Sequence, residues 1–221
     1  MEYKKLAKYA ASIFFTIFLF CTTGWAAILD QSQLISNGGV GFWSDKAIVQ
    51  TFTPSMTGWL ETLSLPLGAT GSADATGFIE PIHIAITEWD GSSPQTPLGQ
   101  IDTTLTVNGG KGWMNFDFLS QDVLLSDETM YAILLTNDLL YSSPPDPYRN
   151  TGINVQWDTN PYDRGGLWNY NGTQWIPWPY GNLNADAAFE TWMKPVPEPA
   201  TILLFGFGLA GLAGLRRKFR K

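Results

Sequence analysis

A chain of 221 residues holds one ordinary domain with appendages and leaves no room for a second large one. Glycine and proline make up about a sixth of it, aromatics 14% with ten tryptophans, and charged residues only 15%, which excludes a low-complexity repeat or a disordered solvating chain. Residues 27–197 carry eighteen carboxylates against five basic side chains, a net charge of −13, while the other eight basic residues sit at the two ends; such an acidic body argues against nucleic acid as a partner, because displacing counterions needs a basic face.

Residues 1–26 begin with the basic MEYKKLAKY, continue through an apolar run over 10–20 and close on the small residues Gly24 and Ala26. These are the three parts of a secretory signal helix handed to the Sec translocon, with cleavage after Ala26. Phe20 is too bulky for the position before a lipidated cysteine, so Cys21 leaves with the signal. The remaining body has no cysteine and can build neither a disulfide framework nor a thiolate metal site. The competing reading, an uncleaved anchor, has a run that is short for a bilayer span.

From residue 27 to 194 no long helical period appears, whereas short alternating runs recur between turn residues, which predicts an antiparallel all-β domain. Trp59, Leu63 and Leu65 are expected on one face, with Glu61 as an exception to the pattern. Ile82, Ile84 and Ile86 share a face and put His83 on the other. Ile101, Leu105 and Val107 alternate with polar residues, as do Met114, Phe116 and Phe118. Residues 130–136 are more continuously apolar and read as a central strand, and 187–193 as a closing one. Turns are expected at 37–39, 68–77, 90–91, 108–110, 144–147 and 171–172. About ten strands in this length predict a jelly-roll-like β-sandwich. The body also resembles a recurrent secreted bacterial β-sandwich module in Asp30-Gln31, Gln50-Thr51-Phe52-Thr53, Thr129-Met130-Tyr131-Ala132, Tyr162 with Gly165-Gly166, and Asp186-Ala187-Ala188-Phe189. That resemblance bears on fold alone.

Chemistry has few places to reside. His83 is the only histidine, so any histidine-based triad or zinc site would need it, and its strand context makes it a surface residue. Paired carboxylates could serve a small glycoside-active enzyme, but eighteen candidates single out no pair. Asp158, Asn160 and Asp163 concentrate oxygen ligands in one loop, which suits Ca2+ or, equally, turn residues bonding their own backbone; no other cofactor is indicated. The segment 157–180 interleaves Trp157, Tyr162, Trp168, Tyr170, Trp175, Trp178 and Tyr180 with Asn, Asp and Gly. Flat rings beside amides suit stacking on sugar faces, with Trp168, Tyr170, Trp175 and Trp178 the candidates. The alternative is that the rings plug the core between two sheets.

The far end, residues 195–221, has three parts: Pro197-Glu198-Pro199, an apolar stretch over 200–215, and the basic tail Arg216, Arg217, Lys218, Arg220 and Lys221. Sixteen residues at ~1.5 Å each reach about 24 Å, enough for a thin transmembrane helix with snorkelling flanks. The basic tail places the acidic body on the opposite side from the cytoplasm. Gly206, Ala210 and Gly214 lie four apart, either a helix-docking stripe or simply glycine-rich sequence.

This three-part order resembles the PEP-CTERM protein-sorting signal. The resemblance implies export across the inner membrane of a Gram-negative bacterium, transient anchoring, and cutting near the motif by an exosortase-type enzyme. It further implies a cell-surface or extracellular destination, often beside exopolysaccharide. The expected function is therefore a structural or adhesive surface protein without catalysis of its own, or a non-catalytic carbohydrate-binding module for extracellular polysaccharide. An ordinary single-pass anchor with a proline-rich linker is the other reading of the same residues.

Overall fold

The structure, a computed structural model, describes residues 26–42, 46–70, 76–108, 111–137, 150–156, 160–178 and 185–196, together with Gly206 and Gly208. Among these residues fourteen strands make up nearly all of the regular structure: β1 (Ile28–Gln33), β2 (Gly38–Gly41), β3 (Ile48–Phe52), β4 (Gly58–Thr70), β5 (Thr76–Trp89), β6 (Pro94–Asn108), β7 (Lys111–Asp117), β8 (Leu124–Leu125), β9 (Tyr131–Thr136), β10 (Asn150–Gln156), β11 (Gly166–Tyr170), β12 (Trp175–Pro177), β13 (Asp186–Ala187) and β14 (Phe189–Pro195). One 3-10 turn, Leu119–Gln121, interrupts them, and Gly206 and Gly208 are helical. Among the described residues no helix is long and apolar enough to cross a membrane. The expected signal segment up to residue 25, the loop 144–147, and residues 197–221 apart from Gly206 and Gly208 lie outside the described residues.

Two antiparallel sheets result, and the chain passes repeatedly from one to the other. One is six-stranded, in the order β12-β11-β3-β9-β5-β6, so the apolar run 130–136 becomes β9, flanked on both sides as its composition predicts. Its edges carry proline, Pro177 on β12 and Pro94 and Pro97 on β6, which cannot donate to a further strand and so discourage edge pairing. The eight-stranded sheet is organised around β4: β14 and, farther along, β10 lie on one side, with β7 and β8 on the other. β1 and β2 pair outward to β14 and β10, and β13 pairs β10.

The inner faces of both sheets close on one core, with Leu63, Leu65 and Leu67 of β4 against Ile82, Ile84 and Ile86 of β5 and with Phe52, Phe118 and Phe189 all fully buried. The isoleucine alternation is as the sequence predicts. The pattern in β4 is not. Thr62 pairs with Trp192 and Leu60 with Met193, which leaves Glu61 as an extra residue in a β-bulge. A one-residue insertion inverts the facing of everything before it. Leu60 therefore takes the core position at 1% exposure, and Trp59 turns outward at 37%.

Strand occupies both ends of the expected turn over 68–77, since β4 runs to Thr70 and β5 starts at Thr76, and 71–75 lie outside the described residues. Asn171-Gly172 does turn: Gly172 has φ +91°, and Asn171 Oδ1 accepts from the backbone N–H groups of Thr173 and Gln174 at 3.0 Å each. Gly165 answers a different need. A Cβ there would lie 1.8 Å from the Thr51 carbonyl oxygen, a backbone atom that is itself fixed in β3. Gly165→Ala is expected to cost about 3 kcal/mol through forced separation of β3 and β11, read as a lowered urea midpoint with unchanged m-value.

Candidate functional site

On the outward side of the six-stranded sheet, β11 presents Trp168 and Tyr170 and β12 presents Trp175, since Trp168 pairs with Val49 of β3 and Tyr170 with Trp175. The ring centroids of Tyr170 and Trp175 are 5.4 Å apart. Trp89, at the end of β5, reaches across to the same place: its ring lies 5.0 Å from that of Trp168 and 6.3 Å, edge-on, from that of Trp175. Val49 and Ala132 lie beneath it, small enough to let an indole cross the sheet, and Leu134 packs alongside. These rings form a second apolar cluster apart from the main core. Trp168, Tyr170 and Trp175 each keep part of their surface in solvent, whereas Trp89 is buried beneath them.

Of the four rings singled out in the sequence, the structure thus brings three together and leaves one elsewhere. Trp178 packs against the main core, with Lys46 Nζ 4.7 Å over its ring. Burial holds the Lys46 amine below its ordinary value. Trp89 was not foreseen. The signal for it was present, because Ile82, Ile84 and Ile86 fix the even positions of β5 inward and hence send residue 89 outward.

A second arrangement is buried and polar. Asp186, fully buried at the start of β13, accepts from Gln50 Nε2 at 3.0 Å on one oxygen and from the Tyr162 backbone N–H at 3.2 Å on the other. With its amide turned so that nitrogen meets the acceptors, Asn160 adds a donation to the second oxygen at 2.7 Å. Gln50 Oε1 accepts from Ala187 N at 2.6 Å, and the Tyr162 hydroxyl donates to Gln31 Oε1 at 2.9 Å. Burial pushes the Asp186 carboxyl up to about 6, opposed by the donors from Gln50 and Tyr162, and it raises the Tyr162 hydroxyl well above its ordinary value. Both oxygens of Asp186 face protein donors, so the junction clasps β1, β3 and β13 to the 160–166 loop. Four of the five segments quoted for the secreted-module resemblance meet here, those around Gln31, Gln50, Tyr162 and Asp186, whereas Thr129–Ala132 enters β9 elsewhere.

The remaining sequence candidates separate. His83 lies outward on β5 with Nδ1 2.7 Å from Asp102 Oδ1 on β6, and Gln100 Nε2 donates to the same oxygen at 2.7 Å. The ring, then the amide, holds the exposed Asp102 carboxyl below the usual carboxylate range. For the loop proposed to take calcium, Asp158 lies outside the described residues, Asn160 turns to Asp186, and Asp163 is exposed. Among the described residues no group of three His, Cys, Asp or Glu side chains could hold a metal.

At the other end of the eight-stranded sheet β14 runs out between β1 and β4, pairing as far as Pro195 with Gly58, and Val196 N donates to Thr57 O at 3.4 Å. The PEP-CTERM protein-sorting motif matches residues 195–218, so it starts on the last residue of β14. No curated protein matches the chain.

Proposed function

We propose that this chain is an exported cell-surface or extracellular-matrix protein, delivered by an exosortase-type system and acting without catalysis of its own as a structural or adhesive component. The sorting motif supports this reading most strongly: it implies export, anchoring in a membrane and processing by an exosortase-type enzyme, and it is continuous with a folded all-β body. The repeated passage between sheets and the pairing of first and last strands, β1 with β14, support a jelly-roll-like arrangement for that body. Cells producing the full chain and a form ending at residue 194 test the proposal. The full chain should reach the surface fraction through a membrane-bound precursor, and equal distribution of both forms would overturn it.

A second reading, a non-catalytic carbohydrate-binding module, is favoured by one observation: Trp168, Tyr170 and Trp175 lie on an outward sheet face over Trp89 rather than between the sheets. Rings half in solvent can stack on the C–H face of a pyranose while the Asn171–Gln174 turn offers amides beside them. Trp175→Ala is expected to weaken polysaccharide binding by the still folded chain about tenfold, about 1.4 kcal/mol, in affinity electrophoresis, and also to lower its melting temperature because the ring packs on Trp89. If no polysaccharide retards the wild-type chain, this reading fails and the first remains.

A further inference from the structure

Apolar side chains are exposed in a group where the sorting segment leaves the body. Leu29 of β1 lies opposite Trp192 of β14, and Trp59 between Lys194 of β14 and Leu124 of β8, all on the outward face, while Ile28, opposite the buried Met193, sits at the rim of the inner face. Ile28, Leu29, Trp59, Leu124 and Val196 are between 37 and 46% exposed. Four neighbouring strands, β1, β14, β4 and β8, carry them, and three spacings of about 4.8 Å make the group about 14 Å wide. Two acids beside it accept from neighbouring hydroxyls: Asp30 Oδ1 from Ser55 and Asp127 Oδ1 from Thr57 at 2.8 Å.

The chain length beyond Val196 determines what can cover this corner. Residues 197–199 separate it from the apolar stretch that begins at Ala200, and four extended steps reach at most about 14 Å. A body on so short a leash cannot turn its exit corner away from the membrane. An indole with aliphatic neighbours and one lysine is the composition that partitions into the headgroup layer.

We infer that this corner seats on the lipid surface while the chain awaits processing, which fixes the orientation of the body and holds the start of the sorting motif at the interface. The inference rests on the sorting reading. The full chain carrying Cys21→Ser has no other cysteine, so Leu124→Cys takes a single nitroxide label; Trp113→Cys is the control. Trp113 is 48% exposed on the same sheet but pairs with Pro66, seven residues and about 23 Å along β4 from Trp59.

In phosphatidylcholine vesicles the Leu124→Cys label should be shielded from a nickel complex and reached by dissolved oxygen, the reverse of the Trp113→Cys label. Trp59→Cys gives the same reading from β4 should Leu124→Cys not fold. A water-exposed label on chains that float with the vesicles overturns the inference and leaves the sorting reading standing. Spin coupling between copies overturns it in favour of a second chain on the corner. Chains that do not float at all defeat the anchor and the inference together.

Discussion

Asp186→Ala is expected to cost about 3–5 kcal/mol, a large part of the stability of an ordinary domain. The loss is not one contact. Gln50 Nε2, the Tyr162 N–H and the Asn160 amide all point at that carboxylate, and alanine leaves the Tyr162 N–H and one of the two Gln50 N–H groups inside without an acceptor, the other Gln50 N–H keeping Thr51 O. A urea titration reads the change as a shifted midpoint. The same group gives stability a pH dependence of known sign. Its carboxyl sits at about 6 in the folded chain against an ordinary 3.8, so the folded state binds the proton more tightly. That contribution is fully present below about 3.8 and is lost as pH rises through about 6, by about 3 kcal/mol. Asp186→Asn removes the titration, so the difference in unfolding free energy between it and the wild type should change by about that amount between pH 4 and 7. A difference that stays flat across this range would show that the carboxyl does not titrate there.

Alternation made much of the fold legible. Ile82, Ile84 and Ile86 read correctly because their strand meets the core on one side only, and the outward partners of that pattern placed His83 where it is found. Trp59 misled because a bulge changes the period locally, and the sequence recorded it only as Glu61 breaking the pattern. The aromatic face was legible as a set but not as a side. Val49 is as fully buried as Ile48, since Trp89 roofs one surface of β3 while the core covers the other, and a strand apolar on both faces does not reveal which is inward. The polar junction was least visible. Gln31, Gln50 and Asp186 are isolated polar residues more than a hundred positions apart at their extremes, and nothing local distinguishes them from a solvent face.

Replacing Pro197, Glu198 and Pro199 together with alanine is expected to leave the chain uncut and held in the membrane. Each proline lacks an N–H and disfavours helix in the residue before it, so the segment ahead of the apolar stretch is kept from joining it as one helix. Three alanines lift that restriction and also remove the one carboxylate a processing enzyme could use for recognition. The uncut product keeps Arg216, Arg217, Lys218, Arg220 and Lys221, whose charges resist transfer through the bilayer, so it should remain in the membrane fraction. Folding offers no alternative explanation. Among the described residues sheet pairing ends at Pro195, ahead of the three replaced positions, and the body should melt as the wild type does. Intact mass of the recovered chain decides the matter. A precursor heavier than the wild-type product by the sorting segment is the expected result. The same mature mass in the same location would mean that this motif is not what the processing enzyme reads.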